Sequence, residues 1–274
     1  MAGRFAGRRA IVTGASRGIG AGIAERLAAE GAHVAITART LDEHPNLPGS
    51  LNLTAERLRG YGGEVAVVVA DLTDDGDRGR VVPEASEALG GPVDILVNNA
   101  AAAIYGSLAD FPLRRRRLTF EVNVHAPLDL AQAALPAMLE AGEGWIVNVS
   151  SATARSWVGP PFEMGPNGSA TALYGASKAA LNRLTNGLGA ELYGSGIRVN
   201  AVEPRAAVLS EGAARLVGDT LRPDQVEPLE AMVEAVVALC DCAADVTGRS
   251  FVSLDLLREW NLAVRSLDAS REHP

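Results

Sequence analysis

The chain is poor in cysteine: Cys240 and Cys242 are the only two, too few for a disulfide framework. No cysteine or histidine nearby completes a zinc set, and His33, His44, His125 and His273 are scattered without ligand spacing. No metal site is expected, and the two thiols read as reduced groups near a helix end. Long apolar runs are missing as well. None exceeds Val65 to Ala70, far short of the roughly 20 residues of a membrane span. The basic N-terminus, Met1 to Ala10, has no apolar h-region behind it, so no secretory signal is read and a cytoplasmic protein is expected. Positive charge is scarce too. A net charge of −8 and a pI near 5.1 disfavour nucleic-acid binding. One local exception is Arg114 to Arg117, which fits a solvated helix face, a subunit contact or a site for an anionic substrate tail. No internal repeat, linker or low-complexity block divides the 274 residues, so one domain is expected over 1–274.

What is present is 47% hydrophobic residues, 29 glycines and a mean hydropathy of +0.10, which fit a compact fold rather than a disordered chain. Arg8 to Thr13 is a short β-rich run that breaks into Gly14-Ala-Ser-Arg-Gly-Ile-Gly20. Ile19, Ile23 and Leu27 then recur at helical spacing until Gly31, and His33 to Ala38 is a second strand. Strand, glycine turn, helix and strand make a βαβ crossover, which demands a parallel sheet. Arg39 to Gly49 is too proline-interrupted for a helix; a helix follows from about Ser50 to Gly62. Glu64 to Ala70 and Val93 to Asn98 read as strands, with a helix between them ending at Leu89-Gly-Gly-Pro92. The pattern then predicts a long helix from Arg114 to Met138, a strand Gly144 to Ser150 and an irregular loop Ala152 to Ala170. A helix from Ala172 to Tyr193, a strand Ile197 to Val202, a helix Met232 to Cys240 and a strand Ser250 to Leu254 complete it, with a tail from about residue 256. The expected fold is doubly wound α/β: about seven parallel strands with helices on both faces, Rossmann-like.

The glycine stretch follows a strand and opens a helix, the context in which it means phosphate binding. Gly14 suits the tight turn, Gly18 the approach of a pyrophosphate, and Gly20 close helix packing. The end of the second strand, Thr37-Ala38-Arg39, lacks the carboxylate that would hold a ribose 2′-hydroxyl. Arg39 and Arg17 instead suit a 2′-phosphate, which favours NADP(H) over NAD(H), unless the two are chance surface arginines. Asp71 either accepts from the adenine amino group or caps the next helix. Tyr174 and Lys178 stand four apart on a predicted helix, so phenol and ammonium share a face. A cation there draws a phenol pKa down from about 10 toward the working range, giving a tuned proton donor. Read blandly, they are surface neighbours.

Taken together, the motifs resemble those of the short-chain dehydrogenase/reductase family over roughly Arg8 to Val202. They run in the family's order: Thr13 to Gly20, Asp71-Leu72, Asn98-Asn-Ala100, Val122-Asn123-Val124, Ile146 to Ser151, Tyr174-x3-Lys178 and Asn200-Ala-Val-x-Pro204. The resemblance implies Tyr174 as general acid/base and Lys178 as the residue that tunes it and holds the nicotinamide ribose. It implies Ser151, ahead of Ser150, as the hydroxyl on the substrate oxygen, and Asn123 as anchor of a proton-relay water. Cofactor contacts are implied at Gly14, Ser16, Arg17, Gly18, Ile19, Gly20, Arg39, Asp71, Leu72, Asn98, Ala100, Tyr174, Lys178 and Pro204.

Three departures stand out. Ala101 replaces a usual glycine, Arg205 follows Pro204 where glycine is usual, and the gap from Ser151 to Tyr174 is longer than is common. Arg205 either reaches cofactor or substrate or points outward. The long loop, carrying Trp157, Phe162 and Met164, is expected to line or cover the pocket and to favour an apolar substrate. The expected activity is NADP(H)-dependent interconversion of a secondary alcohol and a ketone; the x3 spacing of tyrosine and lysine argues for C=O rather than C=C chemistry. A 3-oxoacyl-thioester reductase and a non-catalytic NADP-binding sensor or scaffold are the alternatives. A homodimer or homotetramer is implied by the resemblance, through the two long helices.

Overall fold

The computed structural model describes residues 3–42, 48–164, 167–208 and 225–273. Seven strands form one parallel sheet: β1 (Arg9–Thr13), β2 (His33–Ala38), β3 (Val65–Val69), β4 (Ile95–Asn98), β5 (Gly144–Val149), β6 (Ile197–Glu203) and β9 (Ser250–Val252). Their order is β3-β2-β1-β4-β5-β6-β9. The helices are α1 (Gly18–Ala29), α2 (Leu51–Arg59), α3 (Asp75–Ala88), α4 (Leu113–Phe120), α5 (Ala126–Ala141), α6 (Ala172–Glu191), α7 (Leu229–Leu239) and α8 (Ser253–Glu259). A two-residue parallel pair, β7 (Ala207–Val208) with β8 (Val226–Glu227), stands apart from the sheet.

Apolar strands such as Val65–Val69 follow from having helices on both faces. One core packs α1, α2, α7 and α8 against the sheet through Ile23, Leu27, Val34, Ile36, Met232 and Val236. The other packs α3, α5 and α6 through Ile11, Leu96, Val81, Leu130, Ile146 and Leu188. The strand order reverses between β1 and β4, so the crevice at the carboxyl ends of the strands opens there. This is the Rossmann-like architecture read from the sequence.

The boundaries differ in instructive places. The predicted helix Arg114–Met138 is interrupted by a π turn, Glu121–His125, between α4 and α5. Pro127 has no N–H to give the Asn123 carbonyl four residues back, and its ring would clash with that carbonyl. The helix opens by one residue instead. The strand predicted to reach Leu254 ends at Val252, and Ser253 begins α8. Within the predicted loop 152–170, two one-turn 3-10 helices form, Ala152–Ala154 and Gly168–Thr171. The proline-interrupted stretch Arg39–Gly49 lies in part, at 43–47, outside the described residues. Arg114 to Arg117 are all exposed on α4 and form no ion pair among the described residues, as a solvated face would have them. Cys240 and Cys242 are buried free thiols at the end of α7.

The C-terminal tail returns over the first core. Arg26 of α1 is 1% exposed; it pairs with Glu234 of α7 at 2.5 Å and donates to the carbonyls of Arg265 and Ser266. Among the described residues, no helix is long and apolar enough to cross a membrane.

Candidate active site

A cleft of about 1330 Å³ opens at the carboxyl ends of the strands. Its nucleotide end is built on the turn between β1 and α1. Arg17 is the N-cap of α1, in an extended backbone and without a side-chain cap bond, so the first-turn N–H groups face the cleft as an anion site. Gly20 is fixed by contact: a Cβ there would lie 2.4 Å from Asn99 Nδ2 and 2.4 Å from the Gly14 carbonyl oxygen. Asn99 stitches the turn to the β4 loop, donating from Nδ2 to the carbonyl of Thr13 at 2.8 Å. Thr13 Oγ1 in turn accepts from the backbone N–H groups of Asn99 and Ala100, each at 3.0 Å. Gly14, Ser16, Arg17, Gly18, Ile19, Arg39, Asp71, Leu72, Ala100 and Pro204 line the same cleft.

Two arginines stand at this end with different freedom. Arg17 donates from its guanidinium to the carbonyls of Pro48 at 2.8 Å and Gly49 at 3.0 Å. Arg39 is 68% exposed and lies 4.0 Å from Asp71. Asp71 accepts from the backbone and hydroxyl of Thr73, while α3 is capped by Asp74, which accepts from the Asp77 N–H. The capping role that the sequence left open for Asp71 therefore belongs to Asp74. Asn98 departs from its expected place beside the cofactor. Its side chain is buried and donates to Asn148 Oδ1 at 2.9 Å; Asn148 donates on to Thr185 Oγ1 at 2.9 Å. Asn98, the last residue of β4, points to the face covered by α5 and α6, where it also reaches the Pro127 carbonyl, because alternate residues of a strand face opposite sides. Asn99, rather than Asn98, lines the cleft.

At the other end, Tyr174 and Lys178 lie one turn apart on α6 and line the cleft with Ser150 and Ser151. Lys178 is 1% exposed and donates from Nζ to the Val149 carbonyl at 2.7 Å, 6.0 Å from the centre of the Tyr174 ring. Burial pushes the Lys178 pKa down to about 8. Burial also pushes the Tyr174 phenol above its ordinary range, Tyr105 adds to that, and the Ser151 hydroxyl opposes it. The expected lowering of the phenol by Lys178 does not appear among the influences on Tyr174; burial dominates, and the Ser151 hydroxyl is what opposes it.

Ser151 Oγ accepts from Thr153 Oγ1 at 2.9 Å and from the Thr153 N–H at 3.2 Å. With both lone pairs engaged, its own hydrogen is left to point into the cleft. Ser150 Oγ is buried without a hydrogen-bond partner among the described residues. Asn123 sits fully buried in the π turn. Its Oδ1 accepts from the Ala102 N–H at 2.7 Å and its Nδ2 donates to Ser177 Oγ at 2.9 Å. It ties the β4 loop to α6 one residue before Lys178.

The substrate side is more polar than the sequence suggests. Trp157 and Val158 line the cleft, but so do Thr153, Arg155, Ser156, Glu163 and Asn167. Phe162 and Met164 lie outside it, 60% and 47% exposed. Tyr105 packs its ring 5.9 Å from that of Tyr174. Arg205 is settled by its neighbours: its N–H donates to Glu227 Oε2 at 2.8 Å and its guanidinium pairs with Asp255 of α8. Ala101 is exposed and takes an ordinary negative φ, so its Cβ is accommodated. Thr153, Tyr105 and Arg155 were not expected from the sequence. Of these, only Thr153, two residues after Ser151, carries a local signal, the hydroxyl-to-backbone turn that serine favours.

The model of the short chain dehydrogenases matches residues 8–216. Hydroxysteroid dehydrogenase-like protein 2 of Danio rerio is 31% identical over 261 residues, which cover 94% of this chain and 59% of that protein. The chain therefore spans about three fifths of that curated relative. Among solved structures, a 3-oxoacyl (acyl-carrier-protein) reductase from Agrobacterium tumefaciens with NADP bound is 30% identical with a TM-score of 0.76, covering 90% of this chain and 93% of that one. A short chain dehydrogenase from Burkholderia cenocepacia in complex with NADP is 33% identical with a TM-score of 0.74, covering 91% and 98%.

Proposed function

The chain belongs to the short chain dehydrogenase family, and on that premise we propose that it is an NADP(H)-dependent oxidoreductase interconverting a secondary alcohol and a ketone. The observation that carries this reading is the convergence of Ser151, Tyr174 and Lys178 on the cleft that also holds the glycine turn. A fold needs none of those three; a proton-coupled carbonyl reduction needs all of them.

The residues present fit a dinucleotide. The uncapped N-terminus of α1 suits the pyrophosphate, and the close contact of Gly20 with Asn99 keeps side chains out of its path. Exposed Arg39 suits a 2′-phosphate, and the NADP-bound relatives support that choice over NAD. Bound there, the nicotinamide supplies or accepts the hydride. The rest is done by the chain. Ser151, oriented by Thr153, donates to the carbonyl oxygen, and Tyr174 donates the proton as negative charge grows on that oxygen. Lys178, buried with a pKa near 8, stands ready to release and regain a proton beside Tyr174. Asn123 holds the loop and helix around them. In this reading the 274 residues work as one cytoplasmic domain, assembled as a homodimer or homotetramer, with the 152–170 loop beside the substrate.

A second reading, reduction of a 3-oxoacyl thioester, draws on the likeness to the Agrobacterium enzyme and on Arg114 to Arg117, whose exposed charges suit an acidic carrier. A non-catalytic NADP-binding role would rest on Arg205 and the long 152–170 loop; Arg205 is paired with Asp255, and the presence of Ser151, Tyr174, Lys178 and Asn123 together argues against it.

The test is NADPH oxidation against a panel of ketones, aldehydes and 3-oxoacyl thioesters. Tyr174→Phe is expected to lose roughly 10²–10⁴-fold in kcat while still binding NADPH. Turnover unchanged in that variant would sink the catalytic reading.

A further inference from the structure

Four arginines line the cleft, Arg17, Arg39, Arg155 and Arg205, and three are accounted for. Arg17 is spent on the carbonyls of Pro48 and Gly49, and Arg39 stands at the nucleotide end beside Asp71. Arg205 shares Asp255 with Arg258. Arg155 is different. It lies at the end of the 3-10 turn that begins at Ser151, roughly 8 Å along the chain from that serine. It therefore belongs to the substrate side of the cleft.

The way Arg155 is held points to a ligand. Its Nε and one terminal nitrogen both address a single oxygen, Glu203 Oε1, at 2.6 and 2.5 Å. Glu203 is the last residue of β6 and only 7% of its side chain is exposed, whereas that of Arg155 is 57% exposed. A buried carboxylate at a strand end thus fixes one edge of a planar fork. The guanidinium has no other partner among the described residues, and Arg155 lines the cleft. A guanidinium has five N–H donors, and the free edge suits the two oxygens of a planar carboxylate. The walls around it are mixed: Thr153, Ser156 and Asn167 offer polar groups beside the apolar Trp157 and Val158, which suits a short ligand with one charged end and a carbon chain. Glu163 lines the same cleft and opposes an anion there, so the attraction has to come from Arg155.

We propose that Arg155, held by the buried Glu203, is the substrate-recognition residue of this site, and that the carbonyl substrate carries a carboxylate a few carbons from its ketone. This rests on the oxidoreductase reading above, narrows its ketone to a short oxo acid, and replaces the apolar substrate expected from the loop sequence. Glu203 acts through Arg155, as a positioning residue.

The test uses short oxo acids, with the ketone one, two or three carbons from the carboxylate, each paired with its methyl ester. Wild type is expected to favour at least one acid over its ester by tenfold or more in kcat/KM. Arg155→Met is expected to bring that acid-to-ester ratio down by about 10–100-fold, with the loss mainly in KM. Arg155→Lys keeps Glu203 neutralised and so guards against simple misfolding; lacking the fork, it should still lose most of the preference. Glu203→Gln should lower the ratio less, and thermal melts confirm that each variant folds. Esters reduced as well as acids by wild type, or a ratio unmoved in both Arg155 variants, would overturn the proposal. If no oxo compound is turned over, the oxidoreductase reading is what fails. The anion site is then judged by ligand-observed NMR with pentanoate and pentanamide: binding of pentanoate alone, lost in Arg155→Met, supports it, and equal or absent binding refutes it.

Discussion

Lys178 is a cation with almost no water around it. Among the described residues its ammonium has one protein acceptor, the Val149 carbonyl, and burial has moved its pKa from an ordinary 10.5 to about 8. Holding that charge at neutral pH costs on the order of 3 kcal/mol. Lys178→Met should therefore abolish turnover and yet raise the melting temperature by about 2–6 °C, once the lost hydrogen bond is subtracted. The sign with pH follows. The folded pKa is the lower one, so the unfolded chain binds more protons between pH 8 and 10.5. The cost is complete below about 8 and disappears as pH rises toward 10.5, and the stability advantage of the variant should narrow across that window; differential scanning at several pH values reads it. At this scale the sequence was legible where a residue's spacing dictates its direction, as for Tyr174 and Lys178 on one helix face. It was misleading at Asn98, because a run of two asparagines does not say which one turns to the helix-covered face and which one to the cleft. It was silent on Arg155, whose role depends on Glu203, 48 residues away.

Among the elements, the π turn at Glu121–His125 shapes the site most. Its open geometry lets Asn123 reach back to both polar groups of Ala102 and across to Ser177. Pro127 causes the opening, and Pro127→Ala removes the cause. The restored N–H allows a regular α-helix, which would turn Asn123 away from Ala102. The variant should melt at or above the wild-type temperature while kcat falls about tenfold or more; a crystal structure or the kcat-to-stability comparison checks it. The helix periodicity of 114–138 was plain, and so was Pro127, but periodicity averages over an inserted residue and reports one helix where there are two. The alternation of strands and helices was legible nearly throughout because most strands, such as β3 and β4, are runs of apolar residues bounded by turn residues. The 152–170 loop was not: its shape is set by contacts such as Arg155 with Glu203 and has no period to read.

The whole molecule is acidic, with a formal net charge of −8, but its cleft is not. Among the described lining residues, Arg17, Arg39, Arg155, Lys178 and Arg205 face Asp71 and Glu163, and the paired carboxylates Glu203 and Asp255 do not reverse the balance. Two apolar cores insulate this band from the acidic surface behind it, and Arg26 pins the C-terminal tail to the first of them, through Glu234 and the carbonyls of Arg265 and Ser266. The consequence is kinetic. A positively lined crevice with low-dielectric walls concentrates field lines, so a multiply charged dinucleotide is drawn in faster than a neutral solute of equal size. Stopped-flow binding of NADPH should show an association rate that falls roughly tenfold from low to high ionic strength, with the dissociation rate nearly constant. An association rate that rises with salt would mean that the surrounding negative surface, rather than the cleft, governs capture, and one indifferent to salt would mean that neither steers it.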